Sequence, residues 1–230
     1  RLLGMVKFST MSTMLEQCRK WRKPRLSKRV SIAIRDAYGE ALAELGEQRK
    51  DVVVLEADVG SSSKSIIFGR RHPERYFNVG IAEGNMMAMA AGFASCGKIP
   101  FVNTFAVFAT LRAGDPLRTL VAYTGLNVKI AATYAGLSDS YDGATHQSVE
   151  DMAIVRAIPN ISIVVPTDAV ETKKAVAVVA DYPGPVYFRL SRAAIPVLFS
   201  ADHPFHIGKG NLLKEGTDIA IIACGYMVHK

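Results

Sequence analysis

Three segments hold most of the side chains that could do chemistry. They are EADVGSSS (56–63), NVGIAEGN (78–85) and AGLSDSYDGATHQ (135–147). Glu83, in the second segment, is surrounded by apolar or small residues, which makes it a candidate for acid–base catalysis by a buried carboxyl group. An acid favoured by the dipole at the start of a helix explains the same residue equally well.

Aromatic and histidine side chains add to the candidates. His146 follows Asp142 by four residues in a long polar loop, and such loops carry function more often than they serve as plain connections. Phe105 and Phe108, three residues apart, fit either core packing or a stacking surface for a flat ligand. The residues alone favour the core.

Several other kinds of site are not indicated. The sequence contains no GxxxxGK[ST], GxGxxG or nucleophile-elbow motif, so the usual phosphate-binding loops of nucleotide enzymes are absent. His203 and His206 have no third ligand nearby and are interpreted as surface residues rather than as a metal site. Cys18, Cys96 and Cys224 lie far apart, which excludes a disulfide framework and favours a reducing compartment, the cytoplasm.

The elements that must position these residues alternate between strands and helices. The chain has 230 residues, of which 49% are hydrophobic and 21% charged, enough for a sizeable core. Short apolar strands such as DVVVLEAD (51–58) and NVKIAAT (127–133) are separated by helices, which predicts an α/β fold: a parallel sheet with helices on both faces. Ligands gather outside the carboxyl ends of such strands, where the three segments lie.

Changes in composition predict the domain boundaries. Residues 1–29 hold nine Lys and Arg against one acid, so they account for the net charge of +7 and leave a nearly neutral body. This basic leader could bind nucleic acid or acidic lipid or act as a transit segment; a poorly ordered leader is favoured, with no nucleic acid or membrane partner. Residues 30–198 are predicted to form the α/β domain, 199–216 a linker, and 217–230 the first strand of a truncated second α/β domain.

Taken together, the segments resemble the pyrimidine-binding domain of transketolase, a thiamine diphosphate enzyme, over roughly residues 30–198. Six motifs in the family's order carry the resemblance, and the series is more specific than any one of them. They are IRDAYGEALAELG, VVVLEADVGSSS, RYFNVGIAEGNMMAMAAGFA, PFVNTFAVFA, DGATHQSVED with RAIPNISIVVPTD, and YFRLSR. The wider class that this chain resembles includes deoxyxylulose phosphate synthase.

The resemblance implies roles for residues around the cofactor. Glu83 matches the glutamate that hydrogen-bonds the aminopyrimidine ring and so promotes loss of the proton from the thiazolium carbon. Phe105 and Phe108 match aromatic residues at the pyrimidine, which favours the stacking interpretation over the core. His146 and Asp142 match residues that hydrogen-bond sugar hydroxyls.

The resemblance also implies a phosphate site. Arg35, Ser62 and Arg192 match the residues that hold the substrate phosphate, a task to which the forked donors of a guanidinium group are suited. Tyr134 stands where many transketolases have a phosphate-binding histidine. This departure leaves the identity of the sugar open.

Part of the active site is expected on another chain. Asp58 matches an acid at the family's cofactor and dimer interface, and Leu111 replaces an aromatic residue that flanks the pyrimidine in some members. Transketolases hold the diphosphate and its Mg²⁺ or Ca²⁺ on a domain with a GDG motif, and no GDG occurs in these 230 residues. The resemblance therefore implies a split transketolase whose GDG-type partner chain holds the metal, in a homodimer or α2β2 assembly that acts on a phosphorylated sugar.

Two further interpretations stay open. The chain could be half of a deoxyxylulose phosphate synthase or of the first component of a 2-oxo acid dehydrogenase. It could also be a non-catalytic paralogue that kept the fold as an interaction module. The presence of Glu83 and His146 favours an enzyme, since an interaction module has no physical need for a buried acid.

Overall fold

The computed structural model of the protein describes residues 30–230, so the predicted basic leader lies outside the described residues. The strands are β1 (Ser31–Ala33), β2 (Val52–Glu56), β3 (Tyr76–Asn78), β4 (Ile99–Phe105), β5 (Lys129–Thr133), β6 (Ser162–Val164), β7 (Val186–Arg189) and β8 (Ala194–Pro196). The α-helices are α1 (Ile34–Gln48), α2 (Gly60–Ser63), α3 (Ile66–Arg71), α4 (Glu83–Ser95), α5 (Ala106–Leu111), α6 (Gly114–Pro116), α7 (Asp151–Arg156) and α8 (Ala169–Asp181). Short 3-10 helices lie at Pro73–Arg75 and Gly225–His229, and a π-helix at Leu117–Ala122. None of the described helices is long and apolar enough to span a bilayer.

Six strands form one parallel sheet in the order β3-β2-β4-β5-β7-β6. Every residue of β2, β4 and β5 is buried, as expected for strands that are covered on both faces. Helices α1 and α8 pack together over one face, with Tyr38 and Leu42 in its core. Helix α4 and the π-helix cover the other face through residues such as Met86 and Leu117. The predicted α/β fold is confirmed.

A crevice follows from the order of the strands. After β2 the chain passes to β3 on one side, whereas after β4 it passes to β5 on the other side. The connections therefore diverge between β2 and β4, which is where open parallel sheets bind ligands. The register pairs Glu56 with Asn103 and Phe105 with Thr133, so the carboxyl ends of β2, β4 and β5 lie side by side.

Helix α8 begins at a capping arrangement that also fixes the following segment. The Asp168 carboxylate accepts a hydrogen bond from the backbone N–H of Glu171 at 2.9 Å, and the Glu171 carboxylate accepts one from Thr167 N–H at 2.6 Å. The second Asp168 oxygen accepts from the N–H groups of Leu198 and Phe199, at 2.7 and 2.9 Å. The start of the predicted linker is thus held by the same side chain that caps α8.

The first helix begins later than its sequence pattern predicts. The pattern SIAIRDAYGEALAEL predicts a helix over 31–45, but residues 31–33 form β1, which pairs antiparallel with β8, so the helix begins at Ile34. The sequence also predicts a helical region from about 105 to 124 that is broken at Gly114 and Pro116, two residues that disfavour a continuous helix. The structure has α5, α6 and the π-helix there.

The predicted first strand of a second domain is not a strand in the structure. Ile219, Ile221 and Ile222 are 81%, 89% and 96% exposed, and residues 217–224 have no regular secondary structure. Within residues 30–230 no neighbouring strand pairs with this segment, and a lone strand has no partner for its backbone hydrogen bonds. The second domain stays a prediction.

Candidate active site

Glu83 is the first residue of α4 and is 4% exposed. Its Oε1 atom accepts a hydrogen bond from Nη1 of Arg112 at 3.0 Å. The Arg112 side chain is half exposed, so this ion pair joins a buried carboxylate to the mouth of the crevice. Both interpretations of Glu83 find support, because the residue opens a helix and its carboxylate is also buried.

Four rings lie beside this pair. Phe105 stacks on Phe108 and on Tyr134, with ring centres 5.8 and 4.2 Å apart. The His146 ring meets Phe105 and Phe108 edge-on, at 5.9 and 5.2 Å. We call Phe105, Phe108, Tyr134 and His146 the aromatic cluster. Phe105, Phe108 and Tyr134 pack in a small cluster that is separate from the two main core layers.

A planar group already occupies the open face of the aromatic cluster. The guanidinium carbon of Arg112 lies 3.8 Å from the centre of the Phe108 ring. The same guanidinium donates to Glu83. The crevice therefore accommodates a flat N–H donor between a buried carboxylate and an aromatic face.

Two arginines approach Tyr134, and we call them the arginine pair. Arg35 donates from Nη1 to the Tyr134 hydroxyl and, at 3.3 Å, to the backbone carbonyl of Ser62. The guanidinium carbon of Arg192 lies 5.1 Å from the centre of the Tyr134 ring. The structure thus brings together Arg35, Ser62 and Arg192, which the resemblance assigned to one phosphate site, although Ser62 contributes its carbonyl group to this contact.

Asp139 holds one member of the arginine pair. Its fully buried carboxylate accepts from Arg192 Nη1 at 2.9 Å, while Oδ2 has no hydrogen-bond partner among residues 30–230. Burial raises the pKa of Asp139, and the nearby Asp142 carboxyl raises it further. Sequence reasoning selected Asp142, which is exposed, and missed Asp139 three residues earlier. Spacing alone does not distinguish the two acids.

Two further predicted residues, Asp58 and His146, make the following contacts. Asp58 is exposed at the end of β2, has a φ of 61°, and accepts from Asn78 Nδ2 at 3.0 Å. His146 shares a hydrogen bond between its Nδ1 and the Thr145 hydroxyl, at 2.9 Å. Among residues 30–230, the side chains of His146 and Asp58 are not hydrogen-bonded to each other.

Glu56, at the end of β2, is a second buried acid that sequence reasoning did not select. Its carboxylate accepts from the N–H of Val59 at 2.9 Å and from the hydroxyls of Ser63, at 3.0 Å, and Ser65. Burial raises the pKa of Glu56 to about 7, although these hydrogen bonds act to lower it. The only hint in the sequence that Glu56 would be hydrogen-bonded was the serine-rich segment GSSS (60–63) that follows the strand.

No metal centre is formed by the described residues. Among residues 30–230 no group of three or more His, Cys, Asp or Glu side chains could hold an ion. His203 stacks on Phe199, with ring centres 3.8 Å apart, and its Nε2 lies 3.2 Å from the amide of Asn211. The residues of the crevice therefore offer a carboxylate, an aromatic face and two guanidinium groups, rather than a metal site.

Residues 30–197 match the family described as transketolase, pyrimidine binding domain. The chain belongs to the transketolase family. This transketolase chain is 47% identical to a putative transketolase C-terminal section of Methanocaldococcus jannaschii, over 84% of the chain and 61% of that relative. It is 39% identical to a 6-deoxy-6-sulfo-D-fructose transketolase subunit of a Clostridium species, over 85% of the chain and 61% of that relative.

A solved structure shares the fold. A split-gene transketolase, described as an inactive beta4 tetramer, superposes with a TM-score of 0.78 at 48% identity, covering 86% of this chain and 64% of that one. The chain thus spans about three fifths of the length of the curated relatives named above. Its resemblance to the C-terminal subunit of a split transketolase is confirmed.

Proposed function

We propose that this chain is the pyrimidine-binding subunit of a thiamine diphosphate-dependent transketolase that moves a two-carbon ketol unit between phosphorylated sugars. The active site is shared with a partner chain that carries the GDG-type domain, which holds the diphosphate and its Mg²⁺ or Ca²⁺. The assembly is a homodimer of such pairs, an α2β2 complex. We place it in the cytoplasm, as the dispersed cysteines suggest.

The observation that carries this proposal is the contact of one planar group with both Glu83 and Phe108. The Arg112 guanidinium donates to the carboxylate at 3.0 Å and lies 3.8 Å from the ring centre. An aminopyrimidine is likewise flat and carries N–H donors, so the two residues fit that part of thiamine diphosphate. Glu83 would accept a hydrogen bond from the ring, and Phe108 would support its face.

When bound, thiamine diphosphate supplies a carbon nucleophile that the side chains of the protein lack. The residues of this chain would position and protect the reacting groups. Glu83 is buried at the start of α4, so its hydrogen bond to the pyrimidine would be shielded from competition with water. His146 and Asp142 would hydrogen-bond the sugar hydroxyls, and Asp58 would meet the partner at the rim.

The arginine pair supports a substrate with an anionic end. Arg35 Nε is buried and has no hydrogen-bond partner among residues 30–230. A donor without an acceptor is costly, and an oxygen of a bound phosphate would satisfy it. Arg35 and Arg192 would bind the phosphate of the sugar, with Ser62 orienting Arg35 through its carbonyl.

Two features support a partner chain at this crevice. Apolar side chains within two positions of Glu83, Arg112 and Asp139 are exposed, and no part of the described chain covers them: Ile81 is 74% exposed, Leu111 56% and Leu137 67%. In α4, a Cβ atom added at Gly92 would meet nothing within 4 Å, so no packing inside the described residues requires glycine there. A second chain that approaches the backbone closely gives a reason for the small residue.

The test is ketol transfer by the full-length subunit mixed with a GDG-containing partner chain. We expect Glu83→Gln to lower turnover at least about 100-fold while the fold is retained. Glu44→Gln, an exposed glutamate on α1, is the matched control and should leave turnover unchanged. Near wild-type turnover by Glu83→Gln would contradict the assignment, and thiamine diphosphate binding followed by circular dichroism separates loss of binding from loss of catalysis.

Product analysis distinguishes the related enzymes. A transketolase moves a ketol unit without releasing carbon dioxide, whereas a deoxyxylulose phosphate synthase or a 2-oxo acid dehydrogenase component releases it from pyruvate or another 2-oxo acid. We expect transfer from a ketose phosphate and no carbon dioxide from pyruvate. An interaction module would give neither product with any partner.

A further inference from the structure

We propose that Tyr134 is a positioning residue for the anionic end of the sugar, acting through Arg35. This inference rests on the proposed transketolase function and concerns which donor the site prefers. The Tyr134 hydroxyl accepts a hydrogen bond from Arg35 Nη1. Fixing that nitrogen determines which edge of the guanidinium is left for a ligand.

Tyr134 is itself held firmly. It follows the last residue of β5, is 3% exposed, and adopts a φ of 59°, a left-handed conformation that a side chain tolerates only when its surroundings hold it. Its ring stacks on Phe105 at 4.2 Å with an angle of 18° between the planes. The hydroxyl oxygen is therefore a fixed point for Arg35 rather than a mobile one.

The hydrogen bonds of Arg35 leave one edge of its guanidinium without acceptors. Among residues 30–230 both acceptors, the Tyr134 hydroxyl and the Ser62 carbonyl, meet Nη1. Nε is buried without a partner. Nε and Nη2 form the side-on edge of a guanidinium, which matches two oxygens of a phosphate group at once.

The second guanidinium is directed to the same ring. Arg192 lies 5.1 Å from the centre of the Tyr134 ring and is held by Asp139 at 2.9 Å. Arg35 lies 5.4 Å from the same ring centre. Asp139 offsets the charge of Arg192, whereas Arg35 forms no ion pair with another residue of the described range 30–230, so the charge of Arg35 favours an anion beside Tyr134. Tyr134 thus couples the aromatic cluster to the arginine pair.

The test compares two donors in the reconstituted complex: a ketose 5-phosphate and the same ketose without its phosphate. Tyr134→Phe keeps the ring and its stacking but removes the acceptor for Arg35. We expect the KM for the phosphorylated donor to rise roughly three- to tenfold with little change in kcat, since one hydrogen bond is lost. The KM for the unphosphorylated ketose should change less than twofold.

A double-mutant cycle shows whether Tyr134 acts through Arg35. Arg35→Ala alone should raise the KM for the phosphorylated donor roughly ten- to hundredfold, as expected for hydrogen bonds to a charged group. Adding Tyr134→Phe to Arg35→Ala should then have no further effect. Tyr123→Phe, at an exposed tyrosine of the same chain, is the matched control.

Three results would overturn the proposal: an unchanged KM for the phosphorylated donor in Tyr134→Phe, an equal rise for both donors, or full additivity with Arg35→Ala. Failure of the transketolase assignment looks different, because the wild-type complex would then transfer no ketol unit from any donor. In that case inorganic phosphate replaces the sugar. It should raise the Tm of the full-length wild-type chain more than that of Tyr134→Phe, and equal shifts would again reject the role of Tyr134.

Discussion

The Arg112 guanidinium donates to Glu83 at 3.0 Å while its carbon lies 3.8 Å from the centre of the Phe108 ring. It therefore uses the same two surfaces that the proposed function assigns to the pyrimidine. The Arg112 guanidinium and a pyrimidine ring cannot occupy the space between Glu83 and Phe108 at the same time. If thiamine diphosphate binds as proposed, the half-exposed Arg112 side chain must move away from both residues.

Arg112→Ala should therefore tighten binding of thiamine diphosphate. Removing a half-exposed ion pair and a cation–π contact that compete with the ligand should lower the Kd by about three- to tenfold. The measurement is a titration of the complex with thiamine diphosphate, followed by circular dichroism. Arg118→Ala, at an exposed arginine of the π-helix, should leave the Kd unchanged. Weaker binding by Arg112→Ala would mean that Arg112 helps to hold the ligand.

Asp139→Asn should weaken recognition of the sugar phosphate and alter its pH dependence. The pKa of Asp139 is raised by burial, so the carboxylate that holds Arg192 is lost at a higher pH than for an ordinary aspartate. In the wild type the KM for a ketose phosphate should rise as the pH falls through this pKa. In Asp139→Asn it should start severalfold higher and rise less, as measured by KM between pH 5 and 8.

A second variant alters the neighbouring acid, Asp142. Only the pH at which its KM begins to rise is compared, because Asp142 is also proposed to contact the sugar hydroxyls and its loss would change KM at every pH. Asp142→Asn removes the exposed carboxyl group next to Asp139 and should lower the pKa of Asp139, since that group raises it. The rise in KM should then begin at a lower pH than in the wild type. An identical pH profile for the wild type and Asp139→Asn would rule out this account.

Glu56→Gln should flatten the dependence of stability on pH. Folding raises the pKa of Glu56 from 4.5 to about 7, so the folded chain binds more protons than the unfolded chain between these values. The stability contributed by Glu56 is present below pH 4.5 and is lost as the pH rises through 7. The wild type should lose about 2 kcal/mol of unfolding free energy between pH 5 and 8.5 from this group.

Urea unfolding at several pH values measures the effect. At low pH the unfolding free energy of Glu56→Gln should be equal to or below that of the wild type. As the pH rises, the unfolding free energy of the variant should increase relative to that of the wild type. Glu44→Gln is the control, because Glu44 is exposed on α1. Parallel pH curves for the wild type and Glu56→Gln would show that Glu56 titrates normally.

Lys129→Met should reduce the dependence of unfolding free energy on pH in the alkaline range. The Lys129 ammonium is buried at the start of β5 and donates to the carbonyls of Tyr182 and Gly184, at 2.5 and 2.9 Å. Burial lowers the pKa of Lys129 from 10.5 to about 7. The unfolded chain binds more protons between these values, so stability rises with pH there, by about 2 kcal/mol between pH 7.5 and 9.5.

The same unfolding experiment, extended to alkaline pH, tests this prediction. Lys129→Met should be less stable overall, because two carbonyl groups lose their donor, yet its stability should rise less with pH. Lys98→Met, at an exposed lysine, should keep the wild-type slope. A wild-type slope in Lys129→Met would contradict the lowered pKa.

The sheet and the position of the crevice follow directly from the sequence, since continuous apolar strands separated by helices permit few other arrangements. Glu83, His146 and the two phenylalanines could be selected because they follow predicted strands. Arg112 could not. Its contact with Glu83 joins residues 29 positions apart and depends on the end of α5, where propensities are weak guides.

The choice between Asp139 and Asp142 was equally beyond sequence reasoning. Both lie in one loop that has little regular structure, and in that loop Asp139 is buried while Asp142 is exposed. Residues 217–230 are a different case: their apolar pattern predicts a strand, but among the described residues no strand pairs with them. The local sequence pattern indicates which secondary structure a segment can form, but it does not show whether another strand is there to pair with it.

The carboxylate of Asp168 has a consequence for how the molecule can move. The Asp168 side chain caps the N-terminus of α8 and also accepts hydrogen bonds from the backbone amides of residues 198 and 199. Lys174 of the same helix donates to the His203 carbonyl at 2.5 Å. The first residues of the predicted linker are therefore held against α8 by two contacts, at Phe199 and at His203. A bend in the predicted linker would therefore have to lie after His203.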